Sequence, residues 1–219
     1  MRQSSIIDII SPVMAGPSSS HTAGAVRLGL LARNIYNECP RKVTFRLYNS
    51  YAKTGKGHGT DKGLLAGLLG LSVDDTRIKN IFELDISKKF EYKFEYFEDF
   101  NRHPNAVDFV IEGDTNMTIS GDSIGAGEIV IRKINDFSVK VTGKYNTLLL
   151  VYKDVPNMIA RVTNSIQVNI ASLHCDRFAK GQEASMCICL DGELDKKVID
   201  FLGLIENIYM IRYIKKLES

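Results

Sequence analysis

The chain has 219 residues, is 44% hydrophobic and 25% charged, and carries a formal net charge of +2. These values fit one large globular domain or two small ones, and so small a charge excludes the basic footprint of a nucleic-acid binder. The longest strongly apolar run, Leu64 to Leu71, falls far short of the roughly 20 residues a membrane-spanning helix needs.

Arg2 is followed by no sustained apolar region before a cleavage site, so no secretory leader is expected and the setting reads as cytoplasmic. Ser4 to Ile10 reads as a helical turn stopped by Ser11-Pro12. Next comes Gly16-Pro17-Ser18-Ser19-Ser20-His21-Thr22, and then Ala25, Leu28, Leu31, Ala32 and Ile35 recur at helical spacing up to Asn37. A serine-rich run at a helix N-terminus has two readings. Its hydroxyls and unpaired N–H groups can bind a carboxylate or phosphate, or one serine caps the helix and the rest is a solvated turn.

Lys42 to Tyr48 alternates Val43, Phe45 and Leu47 inward, as a half-buried strand does. It leads into Ser50 to Gly63, where Gly55, Gly57, Gly59 and Gly63 are interleaved with Lys53, Thr54, Lys56, His58, Thr60 and Asp61. Alternating glycines suggest a backbone path that other residues could not follow, or a ligand pressed against it. The spacing fits neither a Walker motif nor a dinucleotide fingerprint, so the stretch does not read as a nucleotide site. An imidazole, two ammonium groups and a carboxylate within Lys53 to Asp61 mark His58 as an active-site candidate. A small-residue helix follows from Asp61 to Leu69, with Asp61 as its possible N-cap.

Ile78 to Asp85 reads as a short helix or an irregular connection. Strands are expected at Phe90 to Phe97, Ala106 to Glu112 and Met117 to Ser120, and a hairpin at Glu128 to Val141 turning at Asn135-Asp136. Asn101 to Asn105, with His103, and Ser123 to Gly127 are loops. From Thr147 the order becomes strand, helix over Ile159 to Ile166, strands at Val168 to Cys175 and Ala184 to Leu190, helix over Leu194 to Gly203, and strand at Ile208 to Ile214. That is the βαββαβ order of a ferredoxin-like unit. The fold class is α+β with two domains, 1–145 and 146–219. Cys39, Cys175, Cys187 and Cys189 show no C-x-x-C spacing and read as small buried apolar groups in a reducing compartment.

With Gly-Pro-Ser-Ser-Ser-His-Thr at 16–22, Thr-Gly-Lys-Gly-His-Gly-Thr-Asp at 54–61, His-Pro-Asn at 103–105 and Ser-Ile-Gly-Ala-Gly at 123–127, the chain resembles the beta subunit of two-chain, iron–sulfur-dependent bacterial L-serine dehydratases. The N-terminal half also looks like the allosteric substrate-binding domain of some phosphoglycerate dehydrogenases, and the last 70 or so residues look like an ACT domain. The resemblance implies deamination of L-serine to pyruvate and ammonia with an alpha-subunit partner. It implies a 4Fe–4S cluster whose cysteine ligands lie on that partner, with no metal ligand on this chain. It also implies a possible homo-oligomer through the ACT domain.

On that resemblance His58 becomes the base, since an unperturbed imidazole near ~6.5 suits proton abstraction at neutral pH. Lys56 joins it, and Asp61 either fixes a histidine tautomer or caps its helix. Ser18, Ser19, Ser20, His21 and Thr22 would bind the substrate's carboxylate or amino group; Lys53, Thr54, Gly55 and Thr60 would orient substrate, with His103 and Asn105 beside them. Ser123 and Gly125 to Gly127 would shape the domain, and Ala126 stands where the family usually has glycine. Asp154, Pro156, Asn157 and Met158 would line an effector site, although the usual Pro-Gly is here Pro156-Asn157, which preserves a left-handed turn. The alternative reading is an amino-acid-sensing regulatory subunit without essential catalytic groups.

Overall fold

The computed structural model describes residues 18–217, apart from the side chain of Lys56. The expected turn over residues 4–10, and Gly16 and Pro17 of the serine-rich motif, lie outside the described residues. The chain divides into two compact units, Met1–Asn135 and Asp136–Ser219.

In the first unit a π-helical turn, Ser19–Ala23, runs straight into helix α1, Gly24–Tyr36. Ser18 caps the turn by accepting the His21 N–H, as a serine N-cap should. Asn37, with a left-handed φ of 57°, ends α1. Strand β1 (Lys42–Tyr48) is followed by helix α2 (Asn49–His58) and helix α3 (Thr60–Leu68). Two 3-10 turns, Thr76–Glu83 and Asp85–Lys89, make the irregular connection expected there. Strands β2 (Glu91–Phe97), β3 (Ala106–Glu112), β4 (Met117–Gly125) and β5 (Glu128–Ile134) complete the unit.

The strands lie in the order β2-β1-β3-β4-β5, with β1 parallel to β2 and antiparallel to β3. β1 is internal, and Val43, Phe45 and Leu47 are fully buried with Phe109 of β3. Each such side chain contributes about 1.5–3 kcal/mol through its burial. Helix α1 packs on β4 and β5 and against α3. The two helices approach at glycine. A Cβ on Gly67 would lie 2.0 Å from the Val26 carbonyl oxygen, and one on Gly29 2.4 Å from that of Leu64. Close packing therefore offsets the low helix propensity of these glycines.

The glycine-rich stretch corrects the sequence reading. It is not an extended cradle, because Gly55 and Gly57 stand inside helix α2. Only Gly59, at φ 73°, takes the left-handed backbone, and there it ends α2 and begins α3. The N-cap of α3 is thus Gly59, and Asp61 stands inside the first turn, where its Oδ1 accepts the Lys62 N–H at 2.9 Å. A carboxylate there complements the positive end of the helix. Ser123, Ile124 and Gly125, expected in a loop, belong to β4, and the turn narrows to Ala126-Gly127. Ala126 adopts φ 50°, a left-handed conformation that costs an alanine more than a glycine.

The second unit contains β6 (Phe137–Val141), β7 (Asn146–Lys153), α4 (Met158–Thr163), β8 (Ile170–Arg177), β9 (Glu183–Leu190), α5 (Lys196–Gly203) and β10 (Ile208–Ile214). Its antiparallel sheet runs β10-β7-β9-β8, which with the βαββαβ order gives the ferredoxin-like arrangement. Leu148, Leu150, Met186 and Ile188 alternate on one face and form its core with Met158, Val162 and Leu202. Cys187 and Cys189 are buried on the opposite face, where the Cys187 thiol lies 4.0 Å from the Lys140 carbonyl of β6. Cys39 departs from the buried reading and is exposed.

Candidate active site around His21 and His58

The site lies in the first unit, where the serine-rich turn meets the start and end of α2. His21 leaves the π turn, a type of helical irregularity often found at functional sites. Its ring packs 5.4 Å from that of Tyr51 and 5.2 Å from that of His58, centroid to centroid. Nε2 lies 3.1 Å from Thr54 Oγ1 and 3.3 Å from Ser50 Oγ, and Nδ1 lies 3.4 Å from Ser18 Oγ.

These contacts assign the proton on His21. The Thr54 hydroxyl donates its single hydrogen to the Ser50 carbonyl one turn back, at 2.9 Å. Towards His21 it can therefore only accept, so Nε2 carries the proton. Ser18 Oγ accepts the His21 backbone N–H and keeps its own hydrogen to offer Nδ1. The neutral Nε2–H tautomer satisfies every group in this set. Burial, and then the neighbouring charge of His58, lower the pKa of His21 and favour that neutral form.

His58 ends α2 with its side chain exposed. Its carbonyl accepts the Thr22 hydroxyl at 2.8 Å, which ties the end of α2 to the serine-rich turn while the imidazole faces outward. Of the two rings, His58 is the more open to a molecule outside the protein. His21 has both nitrogens engaged within it.

The His103 loop joins the same framework. The Tyr51 N–H donates to the Pro104 carbonyl at 3.3 Å, and Asn49 Nδ2 donates to the carbonyls of Asp99, Arg102 and His103. His103 Nδ1 accepts the Asn105 N–H at 3.1 Å, and the Asn105 carbonyl accepts the Ser123 N–H at 3.0 Å. Asn105 Nδ2 reaches the Ser123 carbonyl at 3.4 Å, and its Oδ1 is buried without a partner. Three distant motifs are thus bonded into one framework around α2.

Other candidates lie off this centre or serve it indirectly. Ser19 and Ser20 belong to the π turn, where the Ser20 carbonyl accepts two hydroxyls, from Tyr51 and Ser123. Gly55 is buried on the inner side of α2, and Thr60 is fully buried with its Oγ1 unpartnered. Lys53 points away to an exposed ion pair with Glu98 at 2.5 Å. Lys56 belongs to α2, and Asp61 is buried at the start of α3. In the second unit Asp154 Oδ2 accepts from the Gly181 N–H and from Arg177, interactions that lower its pKa in that order. Pro156 precedes Asn157, which at φ 67° caps α4, and the Met158 side chain is in the core, leaving only its backbone to face a ligand. Tyr51 and Ser50 had no role in the sequence reading. A single aromatic in an otherwise polar, glycine-rich run was the available signal that this side of α2 is buried.

A family model described as the serine dehydratase beta chain matches residues 5–133. The chain is 35% identical over 215 residues to a probable L-serine dehydratase, beta chain, of Bacillus subtilis (strain 168), covering 96% of this chain and 98% of that one. The chain belongs to the serine dehydratase beta-chain family. The beta chain of Peptoniphilus asaccharolyticus L-serine dehydratase is 36% identical over 209 residues, 92% of each chain. A D-3-phosphoglycerate dehydrogenase of B. subtilis is 25% identical over 199 residues, 87% of this chain and 37% of that one. The family match spans all the elements that build the His21–His58 site. Among the described residues no helix is long and apolar enough to cross a membrane.

Proposed function

We propose that this chain is the beta subunit of an L-serine ammonia-lyase that forms pyruvate and ammonia together with an alpha subunit. The observation that carries the reading is the pairing of an exposed His58 with a neutral, fully engaged His21 in a chain of this family. His58 removes the α-proton of serine. The turn from Ser18 to Thr22 holds the carboxylate through Ser19 and Ser20, because the hydroxyls of Ser18 and Thr22 are engaged with His21 and with the His58 carbonyl and keep the turn in position. Lys56, on α2, orients the substrate and tempers the charge that develops as the proton leaves, while Thr60, fully buried at the start of α3, supports the α2–α3 junction from within. His103 and Asn105 support this wall through Tyr51 and Ser123.

Cys187 and Cys189 are buried in the second unit, Cys175 is half-buried there and Cys39 is exposed in the first. Among the described residues no group of three or more His, Cys, Asp or Glu side chains could hold a metal ion. Cys39 is exposed beyond the C-terminal end of α1, while the π turn with His21 precedes its N-terminal end. On the family resemblance, the iron–sulfur cluster and its ligands are assigned to the alpha chain. Residues 146–219, the larger part of the second unit, are read as an ACT domain. Asp154 to Met158 form the candidate effector loop, and the domain is the candidate contact for a homo-oligomer.

The test is anoxic co-expression with an alpha chain and measurement of pyruvate formed from L-serine. Pyruvate from the pair, lost on His58→Ala, supports the reading. Full turnover by the His58→Ala pair, with only effector response lost, supports a sensing subunit instead. The similarity to a phosphoglycerate dehydrogenase over most of this chain is what keeps that second reading specific.

A further inference from the structure

Tyr51 is fully buried at the start of α2, and Ser123 is fully buried at the end of β4. They come from distant parts of the sequence, yet both hydroxyls donate to one acceptor, the carbonyl oxygen of Ser20, each at 2.9 Å. Ser20 immediately precedes His21 in the π turn. Gly24 makes the second approach possible, because a Cβ there would lie 2.2 Å from Ser123 Oγ. The backbones of the same two residues hold the His103 loop, through Tyr51 N–H to Pro104 and Ser123 N–H to Asn105.

We propose that Tyr51 and Ser123 are positioning residues, whose shared hydrogen bonds to the Ser20 carbonyl fix the turn that carries Ser18 to Thr22 and so set the orientation of His21. A carbonyl with two acceptor sites filled by two rigid, buried donors cannot rotate without losing both bonds. The peptide plane of Ser20–His21 is thereby fixed, and with it the direction of the His21 side chain. The kinetic consequence rests on the proposed serine site; the structural one does not.

The experiment has two arms, run on Tyr51→Phe and Ser123→Ala. The first follows the four histidine rings of the full chain by nitrogen-detected nuclear magnetic resonance across pH. The unsubstituted chain is expected to show His21 as the Nε2–H tautomer. Each variant is expected to mix the tautomers and move the His21 midpoint upward toward the ~6.5 of a free histidine. The second arm measures serine turnover in the pair with the alpha chain. Loss of one positioning bond is expected to raise KM about fivefold, whereas a purely structural defect removes active enzyme and lowers kcat at constant KM. His21 signals that coincide with those of the unsubstituted chain, or a fall in kcat alone, overturn the proposal. Should Ser123→Ala fail to fold, Tyr51→Phe, which deletes one oxygen and keeps the ring, decides on the same signals. If the unsubstituted pair forms no pyruvate, the proposed function fails while the resonance arm still decides the clamp.

Discussion

The rings of His21 and His58 lie 5.2 Å apart and are tilted by 46°, although 36 residues separate the two in sequence. One ring is enclosed by hydroxyls and the other is open. That asymmetry divides the work between them, and the first prediction tests it. His58→Gln in the assembled enzyme is expected to lower kcat by about 10²–10⁴, the usual contribution of a general base. Because His58 is exposed, the melting temperature of the isolated chain should barely move, within roughly 0.5 kcal/mol of stability. A variant with unchanged kcat would remove His58 from the base role.

His21 gives a prediction about pH. Burial and the charge of His58 lower its pKa in the folded chain, so the unfolded chain binds a proton more readily. The contribution of His21 to stability is present above its unfolded pKa of ~6.5 and is lost as pH falls through the lower folded value. Thermal unfolding recorded from pH 8 down to about 5 should show this loss. In His21→Asn, which has no titrating ring, the slope through that window should be shallower.

The glycines should separate by role. Gly67→Ala places a methyl against the Val26 carbonyl and forces α1 from α3, at an expected cost of about 1–3 kcal/mol in thermal unfolding. Gly57→Ala meets nothing within 4 Å inside helix α2. It is expected to stabilise the chain by about 0.5–1 kcal/mol. Serine turnover by the Gly57→Ala pair then reports whether a substrate or partner passes close to that face.

In the second unit, Asn157 at φ 67° should be replaceable by glycine but not by alanine. Asn157→Ala is expected to cost about 1 kcal/mol, seen as roughly fivefold faster amide exchange in α4. Asn157→Gly should leave that exchange unchanged or slower.

Much of the fold could be read from periodicity. Val43, Phe45 and Leu47 announced β1, Ala25 to Ile35 announced α1, and the βαββαβ order announced the second sheet, because each pattern records which side of an element is buried. The site was legible only in part. His21 and His58 drew attention as polar groups at costly positions, but the glycines around His58 suggested an irregular backbone and proved to be helical. Local glycine content cannot reveal that Gly59 alone takes the left-handed turn, or that packing compensates for the others. Ser123 looked like a loop residue because its neighbours are glycines, yet pairing with β5 carries β4 through it.

The sequence by itself determined the chemistry available: two imidazoles, a serine-rich helix start and a lysine–glycine run, in an order characteristic of one family. Tertiary structure decided what each group does. The proton on His21 follows from a hydrogen that Thr54 has already given to Ser50, and the orientation of the turn follows from two hydroxyls, 72 residues apart, meeting at the Ser20 carbonyl. Hydrogen bonds of that kind depend on distances of a few tenths of an ångström between distant parts of the chain. Residue type and spacing fix which groups can donate and accept, and only the folded backbone fixes which of them meet.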